Sequence, residues 1–319
     1  MTRNPALLRE QALVRPDSNW GPQLSYAANL GRDAIIRLLH RLGATDLEHA
    51  IGRAALQGQV GSARMLHEMM GRPRPSAASL GGPAYTLSAA GTELLLELGA
   101  PVDVVLETDS RKPAEKHRIL ELFAGRGVEL PDTPPMAVHR GRIDLLEQHL
   151  RRDPGLLRRT FAFDEIYPPE LGCHDEVLAT HGTPLAGATL LHLCVDYDEM
   201  EIARWLLDRG MDPDARARVD ADGFGGHTPL FATVVSQPNF WMNHEGKPQV
   251  APFTELLLER GADPNARASL RKQLHPGYGE DTMHEYRDVT PLAWGERFHR
   301  RIFVSEPAMR LIAERGGGE

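Results

Sequence analysis

The sequence predicts an all-α chain built from helix–turn–helix units, with long loops inserted in its C-terminal half. Three observations predict this. Apolar residues recur at helical spacing, as in Ile202, Ala203, Trp205, Leu206 and Leu207. The apolar runs stop at glycine, as at Gly43, Gly210 and Gly261, where a helix end needs a left-handed residue. Thr-Pro starts return at Thr133, Thr228 and Thr290, each opening a new apolar run.

The elements follow in order. Residues 4–15 read as a short amphipathic helix with Leu7, Leu8 and Leu13 on its apolar side, broken by Pro16. Residues 24–44 form a first unit, with Ala27 and Ala28 in one helix and Ile35, Ile36, Leu38 and Leu39 in the next. Residues 49–70 repeat that arrangement and end at Arg72-Pro73. The pattern from 80 to 130 is irregular, although Ala89-Ala90-Gly91, Leu94 to Leu96 and Gly99 fit a compressed unit, and residues 115–127 a helix ending at Gly. Thr133-Pro134 opens a clearer unit that turns at Gly141 and ends near Asp153-Pro154. The most regular unit covers residues 187–217, GATLLHLCVDYDEMEIARWLLDRGMDPDARA. Another runs from Gly226-His227-Thr228-Pro229-Leu230 to Gly261-Ala262-Asp263-Pro264-Asn265-Ala266, and the last begins at Thr290-Pro291-Leu292.

These starts and the two tails, Gly210 to Ala215 and Gly261 to Ala266, resemble the ankyrin repeat family, whose units run G-x-T-P-L-H-x-A, a turn, a leucine-rich helix, then G-A-D-x-N-A. The resemblance is to bacterial-type members with long insertions in the C-terminal repeats. It implies an ankyrin-repeat solenoid of stacked helix–turn–helix units with finger-loop insertions: a cap helix and degenerate repeats over 1–130, then repeats with extended insertions over 131–319. It also implies recognition of a protein or peptide on a concave face, a groove-facing position for His227, and a structural, hydrogen-bonding role for His192.

Spacing departs from the family. Thr133, Thr189, Thr228 and Thr290 are separated by 56, 39 and 62 residues, against a period of about 33. The extra length falls at residues 161–183, 218–227, 239–252 and 269–288. Those insertions are where function is expected.

Composition bounds the rest. Acidic residues outnumber basic ones, 44 to 36, and the net charge of −8 gives no reason to expect nucleic-acid binding. No apolar run approaches the roughly 18 residues of a membrane span, and Arg and Glu interrupt the N-terminus too often for a secretory signal. Only Cys173 and Cys194 are present, so a disulfide framework is excluded and a cytoplasmic location is expected.

Four insertions carry residues with chemistry. Asp220, Asp222 and Phe224 precede His227 in a Gly-rich turn; a calcium loop starting at Asp220 would need Glu at position twelve, where Phe231 stands. Cys173, His174, Asp175 and His181 match no zinc spacing. Trp241 lies in an aromatic segment, Asn239 to His244, bounded by Pro238 and Pro248. Arg271, Tyr278, Tyr286 and Asp288 lie in a long polar segment that reads as a binding lid. The binding candidates are therefore Asp220, Asp222, Phe224, His227, Trp241, Arg271, Tyr278 and Tyr286, acting on a peptide or protein without metal or cofactor. The alternative is a metal-independent acid–base enzyme using His227, Asp222, Tyr286 and Asp288 on a peptide or small polar substrate.

Overall fold

The computed structural model of the chain describes residues 5–12, 20–76, 78–85, 88–102, 112–167, 183–235, 248–273 and 282–318. Its residue contacts divide it into two units. One comprises residues 1–108 with 118–128, the other residues 109–117 with 129–319.

In the first unit, helices pair in sequence. Helix α1 (Gln23–Asn29) turns into α2 (Asp33–Arg41), α3 (Leu47–Leu56) into α4 (Val60–Met69), and α5 (Ala78–Tyr85) into α6 (Ala89–Glu97). The first helices of successive pairs pack on one another, α1 on α3 and α3 on α5. Small residues permit the approach: Ala28, Ala50, Ala54 and Ala55 are fully buried. Gly91 shows how close it is, since a Cβ there would stand 2.0 Å from the Ala55 carbonyl. The irregular stretch after residue 80 is thus a helix pair whose small residues serve packing. Of the expected N-terminal helix, the described residues hold a single 3-10 turn, Pro5–Leu8, with Leu8 buried and Leu7 exposed, and Leu13 lies outside the described residues.

Helix α7 (Pro113–Ala124) contributes its first residues to the second unit and the remainder to the first. The second unit continues with α8 (Pro134–His139) and α9 (Ile143–Arg152), a 3-10 turn, and the short α10 (Phe163–Ile166). It then stacks α11 (Leu190–Tyr197) and α12 (Met200–Asp208), α13 (Pro229–Val234) and α14 (Pro252–Glu259), and α15 (Pro291–Arg297) and α16 (Glu306–Glu314). The inner helices run α8, α11, α13, α15, each on the next. Thr133 and Thr290 cap theirs by accepting the amides of Met136 and Ala293. Gly210 (φ +88°) ends α12, and its neighbour Met211 donates to the Leu206 carbonyl. No described helix is long and apolar enough to cross a membrane.

The second unit also buries charge. Lys116 and Glu199, each with 4% of its side chain exposed, pair at 3.0 Å, and His117 Nε2 lies 2.8 Å from the same carboxylate. The Lys116 ammonium sits 4.5 Å from the Tyr197 ring centroid, and burial pushes its pKa down against the pull of Glu199.

Among the described residues stands one two-stranded element. Residues 269–288, expected as a polar lid, form an antiparallel pair of strands at their ends, β1 (Ala268–Lys272) and β2 (His284–Val289). Leu270 pairs with Tyr286 and Arg271 with Glu285, with a bulge between Ala268 and Leu270. The pairing gives alternate residues opposite faces, so Leu270 and Tyr286 are buried while Glu285 and Arg287 are exposed.

Candidate functional site

The site is built from the turn after α12 and from β1. Asp220 makes the turn: its Oδ1 accepts the amides of Asp222 and Phe224 at 2.9 Å, and its own amide donates to the Phe224 carbonyl at 2.7 Å. Gly225 (φ +116°) closes it, in a backbone shape that side chains rarely adopt. Its amide donates to the Ser269 carbonyl at 2.7 Å, tying the turn to β1.

Side chains reinforce that tie. Arg271 reaches Asp220 at 2.7 Å and Asp222 at 2.9 Å, one nitrogen to each carboxylate. Its charge is held by these carboxylates, Asp222 foremost; the Asp220 pKa is lowered, chiefly by the Phe224 amide. Phe224 is buried, with guanidinium carbons of Arg287 and Arg271 at 4.3 and 5.0 Å from its ring centroid. Both Asp220 and Asp222 thus serve the turn and Arg271, a use of the Asp-Gly sequence unrelated to calcium.

Beneath the turn lie two histidines. The Thr189 amide donates to His192 Nδ1 at 3.3 Å, so Nε2 carries the proton and donates to the His227 carbonyl at 3.0 Å. His192 is buried, which lowers its pKa to about 4. His227 is only 1% exposed, its ring 5.0 Å from that of His192 in an edge-to-face arrangement. Burial, then His192, holds its pKa well below the ordinary value, and a backbone hydrogen bond to Pro184 works in the opposite direction. Neither ring nitrogen forms a well-aligned hydrogen bond among the described residues. His227 therefore does not stand on an open groove surface, as the resemblance implied, but is buried in the wall of a pocket.

That space is a pocket of about 260 Å³, with His227, Asp220, Phe224, Arg218, Arg271 and Lys272 in its lining. Of the sequence candidates, Asp220, Phe224, His227 and Arg271 meet here, and Asp222 attaches through Arg271. Two do not. Tyr286 is in the core of the second unit: its ring packs edge-on against Trp294 at 4.7 Å, and its hydroxyl lies 2.6 Å from His299 Nδ1. Asp288 is exposed and pairs with Arg267 at 3.0 Å. Trp241 and Tyr278 lie outside the described residues, as do Cys173, His174, Asp175, His181 and the segment 239–244. The sequence reading missed Pro184, Gly225, Gln273 and Met283, all in the lining.

The ankyrin repeat family model matches residues 186–218, the stretch that holds α11, α12 and the tail leading to Arg218. This chain carries an ankyrin repeat. Its ankyrin unit supplies Ala186 and Arg218 to the pocket, at the two ends of the match. The Arg218 amide donates to the Gly187 carbonyl at 2.9 Å, which brings those ends together. Solved structures similar to the chain include the human ASB11 ankyrin repeat domain, 19% identical with a TM-score of 0.29 and coverage of 93% of this chain and 99% of that one. The ankyrin repeat domain of Bcl-3 is 13% identical with a TM-score of 0.27, covering 93% and 100%. A search of curated proteins finds no match. Ankyrin repeats are protein-interaction modules.

Proposed function

We propose that this chain is an ankyrin-type recognition module that binds a peptide or protein segment at the pocket beneath the Asp220 turn and β1. The observation that carries the reading is the Arg271 clasp on Asp220 and Asp222, which joins two insertions over the buried His227. Preorganised pockets with a few directed polar groups are what ligand sites look like. The acid–base alternative draws on Tyr286 and Asp288, which are engaged elsewhere, so recognition is the better supported reading.

A photo-crosslinking amino acid at Met283, an exposed lining residue, tests it. In lysate of the native host it gives a discrete adduct, whereas the same group at exposed Ile35 of the first unit gives none and Arg271→Ala abolishes the adduct. Equal labelling at both positions, or an adduct indifferent to Arg271→Ala, overturns the proposal.

A further inference from the structure

Arginine is concentrated toward the N-terminus. Residues 1–76 hold ten arginines and six acidic residues, in a chain whose net charge is −8. Within this stretch an open groove of about 410 Å³ lies between α2 and α4, lined by Arg37 of α2 and by Gly61, Arg64, Met65, Glu68 and Met69 of α4. The carboxylates near it are engaged: Ser62 donates to Asp33, Glu68 pairs with Arg72, and Glu97 of α6 pairs with Arg64. Arg37 and Arg41 are exposed, and their side chains form neither an ion pair nor a hydrogen bond among the described residues.

Spacing gives the groove a period. Gly61, Met65 and Met69 follow at intervals of four residues, as do Arg37 and Arg41, so each set lies on one stripe of its helix. Met65 is buried and Met69 half-buried, a floor of flexible, polarizable side chains that adapts to an incoming apolar group. Gly61 keeps one end of that floor open. Its φ is not left-handed, and no atom lies within 4 Å of where its Cβ would stand, so neither backbone nor packing requires glycine there. In a helix alanine would be the more stable choice.

A second helix has the same period, a rise of about 6 Å over four residues. Laid along the groove, it sets carboxylates four apart against Arg37 and Arg41 while its neighbouring apolar stripe rests on Met65 and Met69. We infer that the groove between α2 and α4 docks an acidic amphipathic helix of a partner protein. This surface belongs to the first unit, so it adds to the recognition reading and does not rest on it. Ile35, the crosslinking control above, is about 200° around α2 from Arg37 and lies outside the groove.

The test uses the full chain with ¹³C-methyl methionine, the Met69 signal being assigned by its loss in Met69→Leu. The probe is a synthetic helical peptide with leucines four apart and glutamates four apart on the adjoining stripe; the same peptide with glutamine for glutamate is the control. The glutamate peptide shifts the Met69 methyl saturably, and the control binds more weakly. Arg37→Gln weakens binding about two- to fivefold, the scale of one exposed charge pair, and Arg37→Gln with Arg41→Gln weakens it further. Gly61→Leu fills the open end and removes the response, with circular dichroism confirming the helical fold. No response to the glutamate peptide, a control that binds as tightly, or unaltered binding in Arg37→Gln or Gly61→Leu overturns the inference. So do phosphatidylserine vesicles that shift the Met69 methyl where the peptide does not, since the groove then reads a lipid surface.

Discussion

His192 Nε2 donates to the backbone carbonyl of His227 across 3.0 Å, linking the start of one helix pair to the start of the next. The bond requires a neutral His192, since Nδ1 must accept from the Thr189 amide. Both histidines have folded pKa values below the ordinary 6.5, His192 at about 4. The unfolded chain therefore binds more protons than the folded one between those values, and stability falls as pH drops from about 6.5 toward 4. His192 alone contributes a loss of about 3 kcal/mol across that window. Urea titrations from pH 7 to pH 4 measure it, and the slope flattens in a His192→Gln variant.

Glu199→Gln leaves the Lys116 ammonium buried without a counter-charge. It destabilises the second unit by about 3–5 kcal/mol. The double variant Lys116→Met, Glu199→Leu removes both charges and recovers most of the loss. Denaturant midpoints of the three proteins decide this; a double variant no more stable than Glu199→Gln would contradict it.

Gly225→Ala places a Cβ 2.1 Å from the Arg218 carbonyl at a φ of +116°. The turn must shift, breaking the bond from the Gly225 amide to Ser269. A loss of about 2–3 kcal/mol is expected, the scale of forced backbone strain, together with loss of the crosslink at position 283. Gly210→Ala, where open space surrounds the Cβ, loses stability through φ alone and keeps the crosslink.

Arg271→Ala separates binding from stability. Its ion pairs with Asp220 and Asp222 are exposed, so thermal stability changes little. The pocket wall, however, loses the group that fixes the turn against β1. Calorimetry with an unchanged midpoint beside a lost crosslink is the expected outcome.

Much of the fold was legible because helix pairs are written locally. Apolar spacing, small residues at helix contacts and glycines such as Gly43, Gly210 and Gly261 after helix ends specify a unit from its own residues, and Thr189 with His192 could be read as structural from their place in it. Strand pairing was less legible. Residues 269–288 are polar and charged, and the alternation that buries Tyr286 while exposing Arg287 exists only once β1 and β2 align.

The sequence by itself determined the helix pairs, the positions of the insertions and which residue types they carry, since these depend on neighbours a few positions apart. Tertiary structure alone decided that Arg271 crosses 49 and 51 positions to Asp222 and Asp220, that Tyr286 joins the core, and that the buried His227 lines a pocket. Those outcomes depend on how successive repeats stack. Stacking is set by the summed packing of many side chains, so no single stretch of sequence carries it.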